Sequence, residues 1–228
     1  MNFKRSIHVT AIFAASALTS FASHALGGTT SYGNLAAPGV YFGSGNPNGE
    51  WTINTGNAGE LGLRAKVRFG SLLDGSTGTY FAAAGNDPTT ASYRATWNFE
   101  YSVNSTSKPG FAYFLGIDND PSAGVSLSFV NLSLVSAFLA QPPAGYTGFQ
   151  DSSNIGFGST PGGPYNINAS GLYTFVLESR NDAGMLGNSV SMNVQVGAVP
   201  EPETYALMAV GLGLMALVAR RRGKRKAA

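Results

Sequence analysis

The 228-residue sequence contains no cysteine, and its two histidines, His8 and His24, both lie near the N-terminus. The rest of the chain therefore lacks the side chains of an ordinary zinc site and of the Ser-His-Asp and Cys-His mechanisms. Without cysteine, an exported domain has no disulfides and must be held by packing and hydrogen bonds. Chemistry that uses only carboxylates, and calcium sites built from oxygen ligands, remain open to this sequence.

Charged residues make up only 11% of the sequence, and the basic ones are concentrated at the two ends. Residues 26–199 hold six basic side chains against ten acidic ones, so this part carries a net charge of −4, although the whole chain carries +2. Nucleic acid is therefore not an expected partner, since proteins that bind it present a basic surface. The length of this part fits one domain with a proper core.

The first 25 residues have the three parts of a secretory signal peptide. Lys4 and Arg5 precede an apolar and small-residue stretch, 9–22, and small residues stand at positions 23 and 25. We predict cleavage after Ala25, with Ala22 as the alternative, because both choices leave small residues where signal peptidase reads them. Signal peptidase and the secretion machinery are thus expected partners, and the domain that follows is expected to be exported.

Alternating apolar and polar residues predict strands that bury one face. The alternation runs through residues 63–69, 93–103 and 188–196. The expected buried sides of the first two segments comprise Ala65, Val67, Phe69, Tyr93, Ala95, Trp97, Phe99, Tyr101 and Val103. On the opposite sides, Glu100 and the basic residues Arg64, Lys66 and Arg68 are expected to face solvent. The three basic residues could also form an anion-binding face, but charge at alternate positions more often marks the solvent side of a strand.

Three further segments are apolar on both faces and are expected to be central strands: residues 111–117, 125–135 and 172–177. Clusters rich in Gly, Asn, Asp and Pro separate the segments and supply turns. This pattern predicts an all-β fold, an antiparallel β-sandwich of jelly-roll character that spans residues 26–198. A β-solenoid is the alternative, but the segments are unevenly spaced.

Two segments depart from the strand pattern. Residues 132–140 are compatible with a short helix. Residues 141–171 are too long for an ordinary connection, and we expect a lid, a binding loop or a mobile surface segment there.

The segment GIDNDPSAG, residues 116–124, repeats oxygen side chains at alternate positions. Asp118 and Asp120 are therefore candidate calcium ligands, because calcium loops use this spacing. An EF-hand would also require glycine in place of Ala123 and glutamate in place of Phe129. We favour the alternative, a turn in which the two aspartates accept backbone N–H groups, and we expect no cofactor.

Aromatic residues in turn-rich segments raise the hypothesis of carbohydrate binding by ring stacking. The candidates are Trp51, Tyr80, Tyr146, Phe149, Phe157 and Tyr165. Packing against the domain is the simpler interpretation of these rings. A glycan hydrolase or lyase would instead need two carboxyl groups in one cleft. The acids available are Glu50, Glu60, Glu100, Asp151 and Glu178, but no motif places an acid beside a base, so we expect no enzyme.

The sequence ends with an apolar run that predicts a single transmembrane helix. Residues 205–219 contain no charge, and Thr204 and the following arginine stems extend the run toward the roughly 20 residues that a spanning helix needs. The basic tail, 220–226, is expected to stop transfer and to remain in the cytoplasm. Its charged residues are Arg220, Arg221, Arg222, Lys224, Arg225 and Lys226.

Residues 199–228 resemble the PEP-CTERM sorting signal of exported bacterial proteins. The resemblance rests on the motif Val199-Pro200-Glu201-Pro202, the apolar helix and the arginine cluster, in that order. It implies that an exosortase, a membrane transpeptidase-like enzyme, recognises the motif and removes the tail near it. It also implies a Gram-negative source that makes extracellular polysaccharide and a biofilm or floc matrix. The two prolines deny the motif regular structure and leave it accessible, which suits a cutting site.

The sequence thus predicts an exported protein of the cell envelope or extracellular matrix with a structural or binding role. The precursor is expected to be anchored in the inner membrane by its C-terminal helix and then to reach the cell surface or the matrix. Two alternatives remain open. One is a carbohydrate-binding module for extracellular polysaccharide, and the other is a carboxylate-dependent glycan hydrolase or lyase.

Overall fold

The computed structural model describes residues 28–197, apart from positions 37, 44, 91, 92, 107, 119, 123, 159, 161, 162 and 164, together with residues 210–212 and 215. The predicted signal peptide, the sorting motif, the basic tail and most of the predicted transmembrane helix lie outside the described residues. Residues 210–212 and 215 are helical. Within the described part of the chain, no helix is long and apolar enough to cross a membrane.

Ten strands and two 3₁₀ turns make up the described domain. The strands are β1 (Thr29–Gly33), β2 (Trp51–Gly56), β3 (Gly59–Val67), β4 (Thr79–Ala82), β5 (Trp97–Asn104), β6 (Phe111–Asp118), β7 (Leu127–Asn131), β8 (Gly148–Ser153), β9 (Gly171–Asn181) and β10 (Leu186–Val196). The 3₁₀ turns, Leu132–Leu134 and Ser136–Phe138, occupy the segment for which a short helix was expected.

The strands form two five-stranded sheets, which confirms the all-β prediction. The first sheet has the order β1-β2-β3-β5-β8, and the second has the order β4-β10-β9-β6-β7. Every pairing is antiparallel except that of β4 with β10, which is parallel. The expectation of a wholly antiparallel arrangement is wrong at this pair. Thr79 of β4 is aligned with Asn193 of β10, and strands so far apart in sequence are not constrained by a hairpin to run in opposite directions.

The inward sides of the two sheets contribute to one apolar core. Trp97 of β5 meets Phe175 of β9 edge to face, with ring centroids 6.0 Å apart, and Phe99 lies 4.8 Å from the same ring. Such aromatic contacts add about 0.5–1.5 kcal/mol each beyond the apolar area they bury. The core position expected for Trp97 is therefore confirmed, and its side chain is almost completely buried.

Several strand boundaries differ from those expected. The segment 93–103 enters the sheet only at Trp97. The segment 125–135 forms an edge strand, β7, because it pairs with β6 alone and then turns into the first 3₁₀ turn. The long segment 141–171 is not a loop throughout, since it contributes β8 to the first sheet.

The outward side of the first sheet is also buried, which the alternating pattern did not indicate. The connection between β1 and β2 folds back over this side, and Leu35, Phe42, Trp51 and Ile53 form a second apolar cluster there. A side chain at Gly62 would place its Cβ 2.8 Å from Leu35, so glycine allows this close approach. The sheet is therefore covered on both sides.

A buried ion pair lies beneath this connection, where Arg64 and Glu100 both have fully buried side chains. The Arg64 Nε donates to Glu100 Oε2 at 2.6 Å, and Lys66 Nζ lies 3.1 Å from Glu100 Oε1. The expectation that Glu100, Arg64, Lys66 and Arg68 face open solvent is wrong, since even the Lys66 and Arg68 side chains are only 15% and 12% exposed.

Arg64 also ties the β1–β2 connection to the sheet. Its Nη1 donates to the carbonyl oxygens of Pro47 (2.9 Å) and Gly49 (2.8 Å), and its Nη2 donates to Asn46 Oδ1 (3.2 Å). The guanidinium carbon lies 4.2 Å from the ring centroid of Trp51. The Arg64 guanidinium therefore supplies hydrogen-bond donors to two carbonyl oxygens of the β1–β2 connection. This segment is irregular, and within the described residues no neighbouring strand supplies donors to it at these positions.

We predict that Glu100→Gln destabilises the domain by about 3–5 kcal/mol, because it leaves the Arg64 guanidinium buried without a balancing charge. The free energy of unfolding can be measured by urea denaturation of the full chain in detergent, followed by tryptophan fluorescence. The matched control is Glu178→Gln. The Glu178 side chain is only 10% exposed, but the Arg180 that it leaves behind is 45% exposed and can be solvated, so this change should cost about 1 kcal/mol. Equal costs for the two variants would contradict the prediction.

Candidate functional site

The five acids considered for a glycan hydrolase are engaged separately. Their partners are the Tyr32 hydroxyl for Glu50, the Ala36 N–H for Glu60, Arg64 and Lys66 for Glu100, the Ser152 N–H for Asp151, and Arg180 for Glu178. Burial raises the pKa of Asp151, and the nearby charge of Glu100 adds to this effect. Glu100 is nevertheless fully buried and paired with two cations, so its carboxylate cannot reach a substrate.

The two candidate calcium ligands act as turn formers. Asp118 Oδ1 accepts the backbone N–H groups of Asp120 (3.2 Å) and Ser126 (3.0 Å). Asp120 Oδ1 accepts the N–H of Ser122 at 2.7 Å, and the bonds from Ser122 hold the pKa of Asp120 below its ordinary value. The described residues contain no group of three or more His, Cys, Asp or Glu side chains that could hold a metal ion. The geometry is that of the turn interpretation.

The aromatic residues predicted for loops divide into buried and exposed ones. Trp51, Tyr80 and Phe149 lie in strands β2, β4 and β8 and are buried. Tyr165 is half-buried and packs edge to face against Tyr173. Tyr146 is 40% exposed. Phe157 is half-buried and, unlike the others, lies against two arginines.

These two arginines belong to a surface that we call the aromatic–arginine patch, formed by Arg68, Phe69, Tyr93, Arg94 and Phe157. The first two follow β3, the next two precede β5, and Phe157 follows β8. Because β5 runs antiparallel to both β3 and β8, these three strand ends meet at one end of the first sheet. The backbone N–H of Arg68 donates to the Thr96 carbonyl oxygen at 2.8 Å. This bond joins the end of β3 to the start of β5.

Both cations of the patch lie close to aromatic rings. The Arg68 guanidinium carbon lies 4.4 Å from the Phe69 ring centroid and 5.9 Å from that of Phe157. The Arg94 guanidinium carbon lies 4.4 Å from the Phe157 centroid. A cation over a ring at these distances contributes about 0.5–1 kcal/mol at an exposed site. The contacts therefore hold the patch in a defined arrangement.

The two terminal rings of the patch are exposed and sit on unusual backbone. Phe69 and Tyr93 are 79% and 73% exposed, and their φ angles are 53° and 70°. Among the described non-glycine residues, Glu50 is the remaining one with positive φ. For L-residues this conformation costs about 1–2 kcal/mol each, and such costs are found preferentially at ligand-binding and active sites.

The two arginines differ in their electrostatic surroundings. Arg68 Nε lies 2.9 Å from Asp87 Oδ2. The hydroxyl and N–H of Thr89 donate to Asp87 Oδ1 and keep the pKa of this carboxylate below its ordinary value, with a further contribution from Arg68. Arg94 instead donates from Nη1 to the Tyr93 and Gly156 carbonyl oxygens, at 3.0 and 3.4 Å. Its charge has no acidic partner among the residues that the structure describes.

Sequence reasoning missed Phe69, Tyr93 and Arg94, and it considered Arg68 only as part of the triplet with Arg64 and Lys66. The alternation assigned Phe69 and Tyr93 to buried sides, but β3 ends at Val67 and β5 begins at Trp97, so both rings lie beyond the strands. Only Phe157 was among the candidate aromatics. The one local signal was an arginine next to each exposed ring, in Arg68-Phe69 and Tyr93-Arg94, and nothing in the sequence indicated that these two pairs meet.

Comparison with known families locates the sorting function at the C-terminus. Residues 198–222 match the model of the PEP-CTERM protein-sorting motif, which confirms the resemblance. The motif indicates an exported protein whose precursor is anchored in the membrane. It also indicates an exosortase as the processing partner. No curated protein and no solved structure matches the chain. The roles of Val199 to Pro202, of the basic tail and of Ala25 stay predictions, since these residues lie outside the described ones.

We predict that Glu60→Gln makes the domain more stable at neutral pH. Burial raises the pKa of the Glu60 carboxyl above its ordinary value of 4.5, and only the Ala36 N–H opposes this shift. The wild-type chain should therefore lose stability as the pH rises from about 4.5 through the folded-state pKa, because the unfolded chain releases its proton first. Glutamine does not titrate, so the advantage of the variant should grow through this window.

Urea denaturation at a series of pH values measures the effect. Asp74→Asn is the control of opposite sign, because bonds from Ser76 lower the pKa of this exposed carboxyl. A Glu60→Gln variant whose advantage is the same at pH 3 and pH 7 would contradict the assignment.

Proposed function

We propose that the protein is a non-enzymatic component of the cell envelope or extracellular matrix, with a structural or binding role, which an exosortase sorts and processes. The match of residues 198–222 to the sorting motif carries this proposal. Cleavage near Pro200-Glu201-Pro202 would remove the apolar run 205–219 and the basic tail 220–226. The finished protein would then be the acidic domain alone, at the cell surface or in the matrix.

Further features complete this proposal. The signal peptide ends at Ala25 and directs export, and the apolar run 205–219 is the transient anchor of the precursor in the inner membrane. The domain between them is an antiparallel sandwich with jelly-roll character, apart from the parallel β4–β10 pair. The shared core of the two sheets supports this architecture.

Separate engagement of the acids supports a role without catalysis. A glycoside hydrolase needs one carboxyl group as acid and a second as base or nucleophile on either side of the scissile bond. Here the Glu100 carboxylate is held in a buried ion pair with Arg64, and the Glu178 carboxylate is paired with Arg180. A domain of this kind can present a surface to a ligand or to other matrix components without turning them over.

The sorting proposal predicts a change of mass and location that depends on the exosortase. The full chain with an epitope inserted in the exposed turn at Gly184 can be expressed in a host that has an exosortase and in one that lacks it. Loss of the tail and release from the inner membrane are expected in the first host only. Equal mass and equal membrane retention in both hosts would refute processing, and Glu201→Ala in the first host should restore the larger, retained form.

Carbohydrate binding is a second candidate function, and the aromatic–arginine patch is the observation that favours it. Exposed flat rings stack on the apolar faces of sugar rings, and arginines supply donors to their oxygens. Phe69 and Tyr93 present such rings at a cost in backbone strain. Trp51, by contrast, is buried beneath the β1–β2 connection and is removed from consideration as a sugar-stacking ring.

We predict that the Phe69→Ala, Tyr93→Ala double variant binds polysaccharide about tenfold more weakly or worse, since two stacking contacts are lost. Binding of the full chain in detergent to soluble neutral and acidic polysaccharides can be followed by affinity electrophoresis. In all samples the six basic residues of the tail are replaced by glutamine, because a basic tail binds any polyanion. Phe138→Ala, at an 89% exposed ring outside the patch, should leave binding unchanged. Absence of binding to every polymer would refute this function.

A further inference from the structure

We propose that the aromatic–arginine patch binds a carboxylate-bearing polysaccharide, in which a uronic acid carboxylate pairs with Arg94 while neighbouring sugar rings stack on Phe69 and Tyr93. This inference rests on the proposed carbohydrate-binding function and adds the chemical class of the ligand.

Arg94 is held in place but keeps donors free. Its Nη1 donates to the carbonyl oxygens of Tyr93 and Gly156, at 3.0 and 3.4 Å, and its plane rests on Phe157. A Cβ at position 156 would lie 2.2 Å from the Tyr93 oxygen, so glycine is needed for this arrangement. Within the described part of the chain, Nε and Nη2 of Arg94 donate to no acceptor. A guanidinium fixed in this way loses little freedom when a carboxylate binds its open edge.

The second arginine of the patch does not compete for the ligand. Arg68 is paired with Asp87 at 2.9 Å, and its side chain is only 12% exposed. Its guanidinium carbon instead lies over the Phe69 ring, 4.4 Å from the centroid. The patch therefore carries one uncompensated positive charge, at Arg94, in a domain whose overall charge is −4. Such a domain repels polyanions in general, so an anionic ligand would be held by local pairing and not by the overall field.

The strained rings indicate that the patch is built for a ligand and not for stability. Phe69 and Tyr93 hold positive φ angles while exposing most of their side chains, so burial does not repay the strain. Each ring adjoins an arginine in sequence, and both arginines contact Phe157. A polymer with repeating acidic sugars supplies both kinds of group, rings for Phe69 and Tyr93 and carboxylates for Arg94.

Another arginine provides a matched control. Arg180 also lies over a phenylalanine, with its guanidinium carbon 5.4 Å from the Phe114 ring centroid. Its side chain is 45% exposed, but it is paired with Glu178. It resembles Arg94 in chemistry and lies on the other sheet, and it lacks both the free charge and the adjacent strained ring.

The test compares polygalacturonate with its carboxyl-reduced form, which keeps the sugar rings and loses the charge. Affinity electrophoresis of the full-length, tail-neutralised chain should show binding to polygalacturonate that is about tenfold tighter than to the reduced polymer, since a charge-assisted pair is lost. Arg94→Gln should remove this preference, so that the affinity of the variant for polygalacturonate is no higher than its affinity for the reduced polymer. Arg180→Gln should alter neither affinity.

The outcomes separate this inference from the function on which it rests. Equal affinity for the two polymers, with both lowered by the Phe69→Ala, Tyr93→Ala variant, would overturn the carboxylate assignment and leave carbohydrate binding intact. Binding to neither polymer would overturn the inference. An equal loss of polygalacturonate binding in Arg94→Gln and Arg180→Gln would also overturn it, because the attraction would then be non-specific. Circular dichroism of each variant checks that the fold is retained.

Discussion

The buried ion pair between Arg64 and Glu100 is the interaction on which the first sheet and its covering segment depend. Glu100 sits on β5 and Arg64 on the neighbouring β3, so the pair joins two central strands. The remaining donors of Arg64 hold the carbonyls of the β1–β2 connection. Burying these charges costs desolvation free energy, so a packing that separates Arg64 from Glu100 would be strongly disfavoured. The irregular segment is thereby placed on one particular part of the sheet.

Alternate positions along β3 lead from this buried network to the exposed patch. Arg64 is fully buried and Lys66 shares Glu100 with it. Arg68 lies beyond the end of β3 and pairs with Asp87 instead. Three basic residues at the same spacing therefore do three different things. The difference comes from the partner at each position, since Lys66 contacts Asn46 of the connection and Arg68 pairs with Asp87.

Periodicity predicted the strands well and their surroundings poorly. Alternation marked β3, β5 and β10 because one side of each faces the common core, and apolar runs marked β6 and β9 because they lie inside the second sheet. The prediction that Arg64 and Glu100 face solvent was wrong because the β1–β2 connection folds over that side of the sheet. No local sequence pattern encodes this packing. The patch was missed for a related reason, since it forms where the ends of three strands meet and depends on two positive φ angles. The sorting motif, in contrast, is a linear signal and could be identified from its residues alone.

The position of β10 affects how the domain resists mechanical force. This strand is the last before the sorting motif, and it lies between β4 and β9 with hydrogen-bonded neighbours on both sides. Its end is fixed further by the Gly197 N–H, which donates to the Ala82 carbonyl at 3.0 Å. A pull on the C-terminus, such as a membrane tether would transmit in flowing water, is directed along β10. The hydrogen bonds of β10 to both β4 and β9 would then have to break together, whereas the bonds of an edge strand could break one at a time.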